Sequence, residues 1–366
     1  MNILDIPVDI LKEIFEFSDF ITKIRFRQMC KFLYNNLHLI DFYNIEENYL
    51  KKLTDDILNK HKFIKYLNAN NNENIKDVSF MTNLKKLNAG GNCGIDQLGI
   101  SGLNLTKLSA WWNSKIIDVS WMKNLKELDA VGDCGIDQAG IKGLDLIKLD
   151  VRNNKKINDV NFMKNLKELY TIGNCGIDQL GINGLNLTKL NALNNPKIKD
   201  VSFMTNLKEL NASGDCAIDQ LGINGLNLTK LSAWRNSKII VVSWMKNLKE
   251  LDAVGNCGID QMGIKGLDLI KLYANYNSKI KDVSFMKNLK ELYAVGNCGI
   301  DQEGIKGLDL IILFVYNNSK IKNVSFIKSL KELDASGNCG IDQNGIKGLN
   351  LIKLNISNNP KIKKNE

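Results

Sequence analysis

A twelve-residue pattern, Leu-x-x-Leu-x-small-x-x-Asn-x-x-Ile, recurs fifteen times between Ile64 and Ile362. Its copies begin at Ile64, Leu84, Leu105, Leu125 and so on to Leu351, in steps that alternate between 20 and 21 residues, so the full period is 41. A unit this short cannot bury its own apolar positions. Stacked on its neighbours it can, and the expected product is a solenoid. Growth by added turns lets 366 residues continue one core where a globular chain would divide into two or three domains.

Around the second and third pattern positions the residues alternate, as in Leu87-Asn88-Ala89 and Leu292-Tyr293-Ala294. Period-two alternation over so few residues predicts a short strand with one face buried. In register, the strands form a parallel sheet on a concave side, and crossovers close the core on the convex side. The third position is usually Ala (Ala110, Ala130, Ala212, Ala253), which predicts a narrow interior. The Asn after each strand (Asn92, Asn113, Asn154, Asn174) enters the bend where backbone groups lose ladder partners, and its amide can serve adjacent turns as donor and acceptor. Asp133 and Asp215 replace it and only accept when ionised, which predicts two slightly weaker turns.

Composition narrows the function classes. The 28 glycines recur at fixed repeat positions and belong to turns, not linkers. No apolar run approaches the roughly 20 residues that span a bilayer. Asp5, Asp9 and Glu13 interrupt the apolar N-terminus and argue against a secretory signal. An intracellular chain, cytoplasmic or nuclear, with no membrane partner is expected. The net charge of +9 resides largely in columns such as Lys115, Lys156 and Lys197. Two turns separate neighbours in a column, roughly 10 Å if strands stack at about 4.8 Å. That is about one Debye length and predicts a solvated face, with nucleic acid not expected as a partner.

Seven of the eight cysteines, from Cys93 to Cys339, are spaced by 41 residues. Two turns exceed the limit of about 7 Å between Cα atoms for a disulfide. No Cys-x-x-Cys pair suggests a metal, so buried, inert thiols in a reducing compartment are expected, with no cofactor. The two histidines, His38 and His61, lie in the N-terminal part, and no Ser/His/Asp or phosphate-loop arrangement exists. The chain is therefore read as non-catalytic.

The Leu/Asn skeleton resembles leucine-rich repeats. Longer units such as Cys93 to Leu103 are similar to the cysteine-containing class, whose crossover is a short helix. Shorter units such as Asn113 to Leu125 resemble the internalin-like class, with a 3₁₀ or extended crossover. The column Phe80, Trp121, Phe162, Phe203, Trp244, Phe285 and Phe326 is read as the plug of the convex core. The fold class is then α/β, a curved leucine-rich-repeat solenoid over 64–362 with a small all-α N-terminal segment and a tail at 363–366.

Residues 1–45 lie outside the repeat. Ile10, Leu11, Ile14 and Phe15 recur at helical spacing after Pro7. Two further helical patterns follow Asp19 and Cys30. Three helices this short cannot bury all their apolar surface, which suggests a docking module. The order Ile6-Pro7, Asp9, Ile10-Leu11, Ile14-Phe15 and Met29-Cys30-Lys31, with Tyr34 where Trp is common, resembles an F-box. The Asn/Lys/Ile-rich wording is similar to F-box repeat proteins of giant DNA viruses. Residues 46–63 read as a helical linker that caps the first turn. No comparable cap follows Ile362.

Residues flanking the buried strand positions face the concave groove. One column alternates Lys107, Glu127, Lys148, Glu168 and onward to Glu291, then breaks at Ile312. An aromatic group coincides with the break: Tyr273, Tyr276, Tyr293, Phe314 and Tyr316. Trp111, Trp112 and Trp234 lie at the groove or its rim. Exposed aromatics on a sheet are expected at a protein-binding hot spot. The resemblance implies an adaptor, with Pro7, Ile10, Leu11, Ile14 and Phe15 docking on a Skp-type subunit of a cullin ubiquitin ligase. The groove, with Tyr273, Tyr276, Tyr293, Ile312, Phe314, Tyr316, Trp111 and Trp234, would hold an unidentified target protein. A repeat scaffold or decoy with no ligase role is the alternative.

Overall fold

The computed structural model describes residues 6–61 and 63–363. Most of the tail read at 363–366 therefore lies outside the described residues. The chain divides into two compact units, Met1–Ile157 and Asn158–Glu366. No helix among the described residues is long and apolar enough to cross a membrane.

The first unit opens with α1 (Val8–Phe17), α2 (Phe20–Gln28) and α3 (Lys31–Asn36). Pro7 suits the start of α1 because its fixed φ, here −52°, is already close to helical and the missing N–H has no helical partner to lose. The Asp19 carboxylate accepts from the Thr22 amide at 2.9 Å and caps α2. Leu11, Phe15, Leu33 and Leu37 form the inner face of the helices.

The strand β1 (Asp41–Phe42) follows and pairs in parallel with β2 (Tyr66–Asn68). A sheet strand thus precedes the fifteen copies of the pattern. Its Phe42 stands in register with Leu67 and is buried. Pattern matching missed it because Phe42 fills a leucine position and Asn44 stands where Ala69 does in the next unit.

Between β1 and β2 run α4 (Glu47–Leu50) and α5 (Asp55–Leu58). These two turns imitate a repeat for the first full turn. The Asn72 amide donates to Leu50 O and Leu53 O at 2.8 and 3.0 Å. The Asp55 carboxylate accepts from the Lys76 and Asp77 amides, as Gln97 Oε1 does for Ile117 and Asp118 one period later. β3 (Lys86–Asn88), β4 (Lys107–Ser109), β5 (Glu127–Asp129) and β6 (Lys148–Asp150) complete this unit.

The second unit carries ten parallel strands: β7 (Glu168–Tyr170), β8 (Lys189–Asn191), β9 (Glu209–Asn211), β10 (Lys230–Ser232) and β11 (Glu250–Asp252), then β12 (Lys271–Tyr273), β13 (Glu291–Tyr293), β14 (Ile312–Phe314), β15 (Glu332–Asp334) and β16 (Lys353–Asn355). Leucine pairs with leucine throughout, as at Leu251 and Leu272, so the central side chains from Leu169 to Leu333 enter the core and both flanks stay on the sheet face, while Leu354 of the last strand is exposed. The architecture in each unit is the parallel leucine-rich-repeat solenoid that the sequence predicts.

Four expectations need correction. First, the asparagines are not equivalent. In the shorter units Asn113, Asn154, Asn195, Asn236, Asn277 and Asn318 are buried. Asn277, for example, donates to Ala253 O and Ile259 O at 2.8 and 3.1 Å. In the longer units Asn92 and Asn174 are exposed, and the adjacent Cys93 and Cys175 turn inward instead. Asp133 and Asp215 occupy that exposed place, so the argument for weaker turns there fails.

Second, the short helix expected in the crossover of the longer units is narrowed to a single 3₁₀ turn, such as Leu98–Ile100 or Leu180–Ile182. The turn lies flat on the preceding crossover: a Cβ at Gly99 would fall 2.1 Å from the Lys76 carbonyl oxygen. Asp96 fixes its start by accepting from the Leu98 and Gly99 amides.

Third, the plug of the core is methionine. Met81, Met122, Met163, Met204, Met245 and Met286 are buried, whereas the adjacent Phe80, Phe203 and Phe326 are exposed. Trp121 and Trp244 lie across the surface and donate their indole N–H to Leu103 O and Leu226 O. An unbranched thioether chain fits the narrow interior that a rigid ring does not.

Fourth, the lysine columns are more than a solvated face. Lys115, Lys197, Lys279 and Lys320 each donate Nζ to the carbonyl of the cysteine 22 residues earlier, at 2.8 Å. They tie successive turns together.

Candidate interaction surfaces

In the helical module the five candidate docking residues divide by burial. Leu11 is fully buried and Phe15 nearly so, which makes them packing residues. Pro7, Ile10 and Ile14 face outward. Sequence reasoning missed Phe17 (92% exposed), Met29, Phe32 and Tyr34, all apolar and open to solvent. Their signal was available, since they lack a place on the buried face of any of the three helices. Tyr34 also holds the Arg27 guanidinium 4.4 Å from its ring centroid. The outward residues amount to an apolar surface of the kind that marks interaction sites.

On the sheet face of the second unit, the Lys/Glu column forms discrete ion pairs. Lys189 meets Glu209 and Lys230 meets Glu250 at 2.8 Å, and Lys271 meets Glu291 at 2.7 Å. Lys107 and Glu127 do the same in the first unit at 2.9 Å. Water screens such pairs, so each contributes at most about 0.2–1 kcal/mol. The series stops at Ile312, in register with Glu291 on one side and Glu332 on the other, and Glu332 turns to Lys353.

Beside that break the aromatics form a row. Tyr273 and Tyr293 stack at 4.5 Å between centroids, and Tyr293 meets Phe314 edge-on at 5.0 Å. Lys271 Nζ lies 5.0 and 5.4 Å from the Tyr273 and Tyr293 centroids. Burial lowers the affinity of this ammonium for its proton, but hydrogen bonds to Glu291 and Tyr273 outweigh it and hold it above the ordinary lysine range. Burial likewise raises the Tyr293 phenol. Tyr273, Tyr293 and Phe314 are therefore half-buried in their row and not fully exposed, and Ile312 is half-buried as well. Tyr276 and Tyr316 are the open members.

Tyr276 has a left-handed backbone, φ +57°. The same repeat position holds Asn153, Asn194 and Asn317, a residue type that tolerates this conformation. A bulky aromatic there costs folding energy and buries little of itself. Its ring lies over the next turn, so that a Cβ at Gly296 would fall 2.3 Å from it. Trp112, at φ +56°, sits over Gly132 in the same way. Trp111 is half-buried over Gly90 in the first unit. Trp234 is half-buried in the second, with the Arg235 guanidinium 4.8 Å from its ring.

The repeat cysteines offer no nucleophile. Burial pushes the thiols of Cys93, Cys134, Cys175, Cys216, Cys257 and Cys298 up to about 11. Cys30 is free and partly exposed.

Comparison with known proteins agrees with this layout. Residues 3–43 match the F-box domain family. No curated protein matches the chain. Among solved structures, the TLR13–ssRNA13 complex aligns at 20% identity and a TM-score of 0.50 over 81% of this chain, which spans about half (51%) of that one. An internalin from Listeria monocytogenes aligns at 19% identity and a TM-score of 0.43, covering 76% of this chain and 82% of the internalin. A leucine-rich-repeat protein of Leptospira interrogans aligns at 17% identity and 0.38, covering 89% and 95%. At these identities the likeness is one of fold. The chain therefore joins an F-box domain at residues 3–43 to a leucine-rich-repeat solenoid.

Proposed function

We propose that the chain is a substrate-recognition adaptor. Its F-box would dock on a Skp-type subunit of a cullin ubiquitin ligase, and its repeats would hold a target protein on the sheet face around Tyr273–Tyr316. The F-box match, on helices whose Ile10, Ile14 and Phe17 face solvent, carries this reading. F-box and leucine-rich-repeat modules are typically interaction modules without chemistry of their own. The adaptor would act by proximity, since recruitment raises the effective concentration of a target at the ligase. On this reading the protein works inside the cell, its charge is not a nucleic-acid surface, and its residues resemble those of viral F-box repeat proteins only in composition.

Co-purification with a Skp-type adaptor tests it. Wild type binds, and Ile10→Glu/Ile14→Glu loses binding while its far-UV circular dichroism and melting stay unchanged. Leu11→Ala is a poor probe, because a buried leucine costs roughly 2–5 kcal/mol wherever it is removed. If wild type fails to bind, the second reading stands, a repeat scaffold whose helices only cap the sheet. The packing of Phe20 against Phe42 and Tyr49 favours that alternative.

A further inference from the structure

A cavity of about 290 Å³ opens where α2 and α3 meet the residues after α5. Arg27, Tyr34, His38, Lys60, His61 and Phe63 line it, together with two asparagines and Leu39, and among the described residues no carboxylate lines it. Arg27 is only 8% exposed, whereas Arg25, Arg152 and Arg235 are all open to solvent. Its Nη2 donates to Tyr34 O at 3.3 Å, and its guanidinium rests against the Tyr34 ring. Its Nε is buried and has no acceptor among the described residues.

A buried cation with no carboxylate beside it is costly unless an anion balances its charge. The surroundings indicate the sign of that partner. His38 and His61 are the two histidines of the chain, and His38 stacks on Phe63 at 3.7 Å. Burial holds both imidazoles below the ordinary histidine value. The charge of Arg27 adds to this for both, with Lys12 of α1 acting on His38 and Lys60 on His61. The cavity is thus positive by construction.

We propose that this cavity binds a phosphate anion, free or as the monoester of a small metabolite. The Arg27 guanidinium and the Lys60 side chain, both lining the cavity, supply two positive charges for its oxygens, and the imidazoles add donors as they take up protons. A guanidinium suits phosphate because its planar donors match two oxygens at once. The volume admits a phosphate and a few further atoms, given about 30 Å³ for a single water. Occupancy would hold α2 and α3 to the cap segment and stabilise that junction by mass action.

The two-histidine content makes the test direct. The full chain, isotope-labelled at histidine, is titrated from about pH 5 to about pH 8 by NMR, in chloride and in inorganic phosphate at matched ionic strength. Phosphate is expected to raise both midpoints saturably, by about half a unit or more. Lys60→Ala, at an exposed position that leaves folding intact, removes most of that shift, and Arg27→Lys removes it where the variant folds. A sugar phosphate measured in parallel separates the sources: tighter binding than inorganic phosphate points to a monoester, equal binding to the free ion. Identical wild-type midpoints in the two buffers overturn the proposal. So does a shift that never saturates and survives in Lys60→Ala, which is ordinary screening.

Discussion

Asp150 and Tyr273 occupy the same repeat position 123 residues apart, on frameworks that are otherwise near-copies. Beneath both, the interior is the same except that Val151 stands where Ala274 does. Asn154 donates to Ala130 O at 2.9 Å, and Asn277 donates to Ala253 O at 2.8 Å. Above, the two faces differ. Asp150 pairs with Arg152 at 2.9 Å, whereas Tyr273 stacks on Tyr293. Further along, Asn191 and Leu193 correspond to Phe314 and Tyr316. The interior of a repeat must fit two neighbours at once, so it is copied. The face must fit only its ligand and water, so it is free to diverge, and divergence in one stretch alone marks that stretch.

The comparison breaks first if the interior is not what is copied. Asn277→Ala should cost on the order of 3 kcal/mol in urea unfolding, because the Lys279 amide loses its acceptor and the Ala253 and Ile259 carbonyls keep only the Cys257 thiol. Asn297→Ala, the same change at an exposed position of the next unit, should cost about 0.5 kcal/mol or less. Equal losses would mean that the two classes of unit do not differ inside.

That pair of mutations also marks how far the sequence could be read. Solenoid, strand register and the three N-terminal helices follow from periodicity, because buried leucines and helical spacing have few solutions. Which asparagine faces inward does not, since the letter is the same in both classes. In the longer units Cys93 faces inward and Asn92 outward, and that rotation is a property of the three-dimensional path. The candidate site was visible as an internal difference between copies. Its half-burial by stacking was not, because the exposure of an aromatic depends on the ring next to it. Arg27 escaped notice altogether. Nothing in a one-dimensional pattern distinguishes it from Arg25.

On the face, Tyr293→Ala removes both ring contacts and should cost about 1 kcal/mol beyond lost area, since each aromatic pair contributes about 0.5–1.5 kcal/mol. Asn191→Ala, at the corresponding kind of position without a ring, should be near neutral. Tyr276→Asn should move the other way. Relieving a left-handed aromatic stabilises by about 1 kcal/mol. If the same variant weakens capture of a target, the tyrosine is retained for binding at the expense of folding. A loss of stability would show that its packing over Gly296 outweighs the strain. Thiol labelling checks the interior again: Cys30 should react in the native chain, and the seven buried thiols only on unfolding.

The smallest effect concerns Asp252, which belongs to the ionic half of the face. Burial raises its carboxyl above the ordinary 3.8, against hydrogen bonds donated by Ser232 Oγ at 2.8 Å and the Val254 amide. Between the unfolded value and the raised folded value, the folded chain keeps a proton that the unfolded chain has released. Stability therefore falls as pH rises through that window and is level above it. Asp252→Asn should flatten this segment of the stability–pH curve, leaving the similar share of Asp129, which Ser109 supports at 2.9 Å. Ser232→Ala should steepen it, because removing the donor raises the carboxyl further. The aromatic half has Tyr273 at the same position and no carboxyl to titrate, so Tyr273→Phe should leave the segment unchanged. If Asp252→Asn leaves the curve untouched as well, the carboxyl is hydrated on the face and the contrast between the two halves is one of shape alone.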